Sequence, residues 1–328
     1  MSKQERQLAP FIHTEKSAPY IYMTFLAALV PCSVCGIFYY GLRAVILIVF
    51  CMLAFVMSDY LCVRFSRRRS AKDYFDFSSL VEGLLIALML PPDTTLLTAL
   101  VAVLFASVIT KQAFGGAGSN LINPACAGRL FVEMVLPSHT QGLSYGETNS
   151  RLSWMSLILQ KEPGDVPDLS QFSFAELLSG NFPGMIGTAC FVCIMAGGIY
   201  LTLKGSMRLY SPISYLVTIA AFYPIFNLID VRSFSYDGLI LYVFSSGIVF
   251  VAVFLLGDLT TMPSRFASGV FAGVVCGLLT LITRLFLEPA VSLLAPVLAV
   301  NFLSFRWMGR ILSWWKFLVR NVMTAPFS

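Results

Sequence analysis

The sequence predicts an all-α polytopic membrane protein of about ten transmembrane helices in two inverted five-helix repeats. Three observations predict it. The 328 residues are 57% hydrophobic and only 12% charged, with a mean hydropathy of +0.79, whereas a soluble domain carries about 25% charged residues. Roughly ten apolar segments follow one another without a polar domain between them. Residue patterns also recur 165 positions apart, about half the chain.

This composition excludes a soluble globular enzyme, a nucleic-acid-binding domain and a disordered chain. The net charge of +5 therefore does not point to a nucleic-acid partner. In membrane proteins Lys and Arg mark the cytoplasmic loops.

A span needs about 20 apolar residues. The candidate segments are Tyr20–Tyr40, Ala44–Val63, Leu80–Leu90, Leu96–Thr110, Ala125–Leu136, Met185–Leu203, Leu209–Ile229, Gly238–Leu256, Ala267–Leu287 and Val291–Phe305. Several are short and broken by Gly or Pro. The chain thus divides into a polar N-terminal segment (1–19), a first membrane repeat (20–136), an extracytoplasmic loop (137–184), a second repeat (185–305) and a basic tail (306–328). No small-residue cleavage pattern follows the first apolar stretch, so that span is expected to be retained. The tail alternates Arg and Lys with Trp307, Trp314 and Trp315. It reads as an interfacial helix or as a snorkelling end to the last span.

With the N-terminus in the cytoplasm, seventeen of the 22 Lys and Arg residues fall on the inner side. Lys111 and Arg129 are counted among them. This satisfies the positive-inside rule and places both termini on the cytoplasmic face of a bacterial inner membrane.

The repeat rests on three matches. Asp93 and Asp258, Asn123-Pro124-Ala125 and Glu288-Pro289-Ala290, and Arg43 and Arg208 all share the 165-residue offset. An odd number of spans per half inverts the second copy, and such folds break helices near the midplane and place sites there. Pro91-Pro92 and Gly115–Pro124 are suitable breaks. The glycine-rich stretch Phe114–Asn120 leaves backbone groups that must be buried in protein or line a cavity. Gly115, Gly116, Asn120 and Asn123 are accordingly candidate binding positions, with a tight ligand-free turn as the alternative. The stretch does not follow a strand, so it is no dinucleotide fingerprint, and no NAD is expected on this chain.

Eight cysteines occur, mostly inside apolar segments, where a thiol behaves as a small hydrophobe. Cys32 and Cys35 lie in the first span, Cys190 and Cys193 in the sixth, its counterpart. Cysteines three apart share a helix face, and both pairs should lie at similar depth in the outer half of the bilayer. Four thiolates could hold a zinc ion or an iron–sulfur cluster. Packing is the plainer reading.

Acids inside spans are costly and point to function. Asp59, Asp76, Glu82, Glu133, Asp237, Asp258 and Glu288 lie in or beside spans. Asp258 is the candidate for an ion path, together with Thr260, because it sits at a Gly-flanked break. The alternative is a helix-capping acid. His13 and His139 carry no assignment.

Residues Asp76–Phe131 contain DFSSLVEGLLIALMLPPDTT and then KQAFGGAGSNLINPACAGRLF. This stretch resembles the RnfD/NqrB family, the membrane subunits of the Rnf complex and of the sodium-pumping NADH:quinone oxidoreductase. Met23–Pro31, Gly180–Gly187, Gly198–Leu201, Tyr215-Leu216, Asp258–Pro263 and Asn301 also fit the family pattern. The length is closer to the Rnf branch, since the NqrB branch has a longer N-terminal region. The resemblance implies a ten-helix inverted-repeat fold. It further implies a subunit that carries electrons across the membrane, in a complex linking ferredoxin and NAD to Na+ or H+ movement. Its implied partners are the other membrane, flavin and iron–sulfur subunits of that complex. The family pattern has no cysteine ligand set in this subunit.

Family members carry FMN, attached by a flavin transferase through a phosphoester to a Thr in a motif like D-x-x-[ST]-G-A-T. A riboflavin or second flavin belongs to the same expectation. Here the loop reads Gly142-Leu143-Ser144-Tyr145-Gly146-Glu147-Thr148-Asn149-Ser150-Arg151-Leu152-Ser153. One alignment puts Thr148 at the acceptor position, keeping Gly146. The other puts Ser153 there, keeping Glu147 and Ser150 but replacing Gly with Arg151. The family's I-G-E-T-S also becomes Ile186-Gly187-Thr188-Ala189-Cys190. These departures leave three roles open: a flavin-carrying subunit, a flavin-free structural, ion-conducting or solute-channel subunit, and a quinone-reducing NQR-type subunit.

Overall fold

The structure, a computed structural model, describes residues 17–66, 77–116, 118, 120–136, 185–229, 243, 247–263, 265–287 and 289–306. The outer loop with Thr148 and Ser153, the N-terminal segment, the basic tail, Asp76, Asp237 and Glu288 lie outside the described residues. Among the described residues there are nine α-helices and no strand.

The first two apolar segments form two helices that meet at a kink, together α1 (Ala18–Ser66), with Gly41 non-helical between them (φ 63, ψ −145). That backbone region is nearly closed to residues with a Cβ, so the glycine sets the boundary between the two expected spans. α2 (Phe77–Met89) is only 13 residues long, about 20 Å at 1.5 Å per residue. It is too short to cross a hydrocarbon core of about 30 Å. It ends at Pro91-Pro92, where the Thr94 backbone N–H and hydroxyl both donate to the Pro91 carbonyl (3.1 and 2.7 Å).

α3 (Leu96–Leu104) is capped by Thr95, whose hydroxyl accepts from the Thr98 backbone N–H, and it continues as a π-helix over Phe105–Gln112. Its end is closed by Gly115 and Gly116, both at positive φ, where the Gly116 N–H donates to the Lys111 carbonyl (3.0 Å). α4 (Pro124–Val135) starts with Pro at its first position and Asn123 as N-cap.

The second half is helical as well. A 3-10 turn (Ile186–Thr188) leads into α5 (Phe191–Leu203), followed by α6 (Tyr210–Ile229). α7 (Ile248–Phe250) runs into a π-turn over Val251–Leu255, and α8 (Phe266–Phe286) and α9 (Pro289–Arg306) complete the chain. A π-helix thus occurs in each half, in α3 and after α7. Pro124 and Pro289, 165 residues apart, each open a helix.

By length and composition, α1 and α8 can cross a membrane, and α2, α3 with its π extension, α5 and most of α9 are shorter apolar helices. Large apolar side chains such as Val34, Phe38, Leu42, Met57, Phe65, Leu203 and Phe286 stand exposed on the outside of the bundle. Exposure on that scale marks a surface meant for lipid or partner protein. Inside, helices approach through small residues, as expected where lipid removes the hydrophobic drive for association. Gly273 and Gly277 of α8 lie against Ser211–Thr218 of α6, and a Cβ on Gly277 would come within 2.9 Å of Thr218. Gly197 of α5 meets the Ala28 carbonyl of α1, which would stand 2.6 Å from an added Cβ.

The halves also touch through defined bonds. The Thr24 hydroxyl donates to Ser206 Oγ (2.8 Å), and the Ile186 N–H donates to the Leu90 carbonyl (3.2 Å).

Candidate functional site

α1, α2 and the π-helix bring a line of polar side chains into the apolar interior. Asp59 on α1 is fully buried, and Lys111 on the π-helix is 1% exposed. Lys111 Nζ donates to Asp59 Oδ2 (2.6 Å) and to Ser79 Oγ (3.0 Å). Ser79 Oγ donates to the same carboxylate oxygen (2.5 Å), and Gln112 Nε2 donates to Asp59 Oδ1 (3.1 Å). The ammonium also lies 5.2 Å from the centre of the Phe55 ring. Beside this group, the Ser58 and Ser107 hydroxyls share a hydrogen bond (2.5 Å).

This corrects the charge reading for two residues. Lys111 and Arg129, expected among the cytoplasmic-loop charges, are buried inside the bundle. Arg129 pairs with Glu133 one turn on and donates through Nε to the Met89 carbonyl (2.9 Å). The partners are why a hydropathy count misplaces them. A charge leaves water only with a partner, and Asp59 lies 52 residues before Lys111 in the chain. The positive-inside asymmetry rests on the remaining residues.

Glu82, one turn after Ser79, is buried and accepts from the Ala125 N–H at the start of α4 (3.1 Å). The positive end of a helix dipole suits such a carboxylate. Glu82 also interacts electrostatically with Lys111, Asp258 and Asp59, so the acids of the two halves lie within reach of one another.

The structure sorts the sequence candidates. Asp258 is half-buried. Its Oδ1 accepts from the Thr260 N–H (3.0 Å), and its Oδ2 accepts from the Thr260 and Thr261 hydroxyls (2.6 and 3.1 Å). It and Thr260 therefore form one turn unit, while the next helix, α8, has Arg265 as its N-cap. Asp93, the residue that matches Asp258 at the repeat offset, pairs with Arg43 (2.6 Å) on the exposed surface. Asn123 Oδ1 is committed to the Cys126 N–H (3.0 Å) as the cap of α4. Asn120 differs, because its Oδ1 is buried and has no partner among the described residues. Gly115 and Gly116 shape the turn that presents it.

Three of the four cysteines converge. Cys35 Sγ lies 3.0 Å from Cys193 Sγ, and the sulfurs of Cys35, Cys190 and Cys193 all lie within 4.8 Å of one another. Cys32 is buried on the same helix and interacts electrostatically with Cys35 and Cys190.

Lys111, Ser79, Arg129 and Asn301 were not singled out as site residues by sequence reasoning. Lys111 carried a signal: a lone cation closing an apolar run, three residues before the glycine turn. Arg129 and Glu133, opposite charges at i and i+4 in an apolar helix, carried another. Asn301 is fully buried in α9, and neither its Nδ2 nor its Oδ1 has a partner among the described residues.

An all-helical bundle with an apolar outside and paired charges inside defines an integral membrane protein with a polar interior. The family model described as NQR2, RnfD, RnfE matches residues 6–304, and the chain belongs to that family. Among its relatives is the D subunit of the Na(+)-translocating ferredoxin:NAD(+) oxidoreductase complex of Acetobacterium woodii. That protein is 28% identical over 281 residues, covering 85% of this chain and 84% of the relative. The D subunit of the proton-translocating ferredoxin:NAD(+) oxidoreductase complex of Clostridium ljungdahlii is 24% identical over 285 residues, covering 84% and 85%. The D subunit of the ion-translocating oxidoreductase complex of Escherichia coli is 22% identical over 314 residues, covering 85% and 88%.

Proposed function

We propose that this chain is the D-type membrane subunit of an Rnf-type complex. It carries electrons across the membrane and couples transfer between ferredoxin and NAD to movement of Na+ or H+. The observation that carries this reading is the family match over residues 6–304, with D-type relatives aligned along most of both chains. The buried line Asp59–Lys111–Glu82, with Asp258 in electrostatic reach, supports a coupling role, since intramembrane charges mark ion paths. The relatives include both a sodium- and a proton-translocating complex, so the ion is a matter for measurement.

The same reading takes the fold as ten spans in two inverted repeats, with both termini in the cytoplasm of a bacterial inner membrane. The recurrence of Pro124 and Pro289 at helix starts supports it. So does the packing of α1 on α5 and of α4 on α9, which are counterparts at the repeat offset.

FMN is proposed on Thr148 or Ser153; when bound it supplies the electron-accepting and electron-donating chemistry. Gly115 and Gly116 would hold Asn120 toward a second, noncovalent flavin or riboflavin, and the unpartnered Asn120 oxygen fits a ligand that offers an N–H or O–H. Asn123, engaged as a cap, would hold α4 in place rather than touch the ligand. The altered loop motif favours one second reading, a flavin-free structural or ion-conducting member.

The test is ferredoxin-dependent NAD+ reduction in membrane vesicles from cells with and without this chain, with ion uptake followed in parallel. Loss of both on deletion, and recovery with the restored chain, is expected. Undiminished reduction and uptake without the chain overturns the proposal.

A further inference from the structure

We infer that Cys32, Cys35, Cys190 and Cys193 form a thiolate site for one tetrahedrally coordinated transition-metal ion, zinc or iron, at the contact of α1 and α5. The inference does not rest on the electron-carrying role.

Two sequence-distant C-x-x-C pairs meet there. The Cys35 and Cys193 sulfurs are 158 residues apart in the chain and 3.0 Å apart in space, and the Cys190 sulfur completes a triangle with no side longer than 4.8 Å. A metal–sulfur bond of about 2.3 Å gives sulfur–sulfur edges of about 3.8 Å in a tetrahedron, so the triangle is of the right size for a single ion. An iron–sulfur cluster carries at most two cysteine thiolates on any one iron, so three sulfurs this close together fit one ion better than a cluster. Cys32, one turn before Cys35 and buried on α1, lies outside that triangle and would supply the fourth ligand after a side-chain rotation.

The local architecture brings the thiols of two elements together. Cys190 is the N-cap of α5 and Cys193 lies in its first turn. The two helices are held together at this level independently of the sulfurs. Gly197 admits the Ala28 carbonyl, and a Cβ on Gly36 would strike the Ile186 carbonyl at 2.6 Å. A bound ion would therefore enter a preassembled contact. No disulfide is present among the described cysteines. The 3.0 Å separation of Cys35 and Cys193 is well beyond a bond of about 2.05 Å.

The test uses the full chain, purified from membranes in detergent under anaerobic conditions, with metals measured by mass spectrometry of the digested protein. About one zinc or one iron per chain is expected, as for a closed four-ligand site. The value should fall below about one-tenth in the Cys35→Ser/Cys193→Ser variant and stay unchanged in Cys62→Ser, whose thiol lies on α1 outside the cluster. Zinc would make the site a fixed link between helices, whereas iron would make it a centre able to change charge. If the double variant fails to fold, Co2+ titration of the unaltered apoprotein decides: visible bands of tetrahedral thiolate cobalt support the site. Metal below about one-tenth per chain with no cobalt bands overturns it. So does a Cys35–Cys193 disulfide found by peptide mapping of anaerobic protein.

Discussion

Lys111 shows how one buried charge organises its surroundings. Its ammonium is held by Asp59, Ser79 and the Phe55 ring, and its own carbonyl accepts from Gly116. Replacing Lys111 with Met leaves Asp59 buried without its counter-charge, which typically costs about 3–5 kcal/mol. The Ser79 and Gln112 donors keep the loss toward the lower end. Thermal unfolding of the detergent-solubilised chain measures it, and the Asp59→Asn/Lys111→Met double variant should lose less than Lys111→Met alone. Asp258 offers a cleaner separation of charge from structure. Asparagine retains an oxygen for the Thr260 N–H, so Asp258→Asn should unfold at nearly the native temperature while coupled ion uptake falls. Unchanged uptake would place the ion path elsewhere. Asn301 gives the opposite contrast. An unpaired buried polar group costs about 1–3 kcal/mol, so Asn301→Leu should equal or exceed native stability while activity drops. A loss of stability would mean that the amide is bonded within the bundle.

Helix breaks decide where these side chains can meet. Gly41 occupies a conformation reserved for glycine, yet nothing lies within 4 Å of where a Cβ would stand. Gly41→Ala is therefore a test of backbone strain without crowding, with an expected cost of about 1–3 kcal/mol. Gly197→Ala meets a backbone carbonyl instead and should loosen α1 from α5, seen as faster hydrogen exchange in both helices. The elements were legible in the sequence to the extent that apolar length and punctuation define them. Pro91-Pro92 and the glycines after Phe114 end helices as expected, and α4, α6, α8 and α9 begin within two residues of the apolar segments. The break between the first two segments was legible too, and it falls at Gly41; that it is a kink rather than a loop was not, because a glycine between apolar runs reads equally as either. The π-helix before Gly115 was hidden too, since it has the composition of an α-helix and differs only in hydrogen-bond register.

At the scale of the whole molecule, Pro124 and Pro289, 165 residues apart, both open helices, and those two helices pack on one another. Part of the site was legible through local pattern: the acid Asp258 with its threonines, the glycine turn and the paired cysteines. The Asp59–Lys111 pairing was not, because it depends on packing between helices far apart in sequence. In the proposed function this bundle carries electrons through a flavin fixed on its outer loop, with the buried charges serving the coupled ion. Intact-mass spectrometry of the chain, coexpressed with its flavin transferase and followed by peptide mapping, tests that most directly. The predicted result is one FMN adduct on the peptide that contains Thr148 or Ser153. An unmodified chain from a complex that still reduces NAD+ with ferredoxin would contradict it.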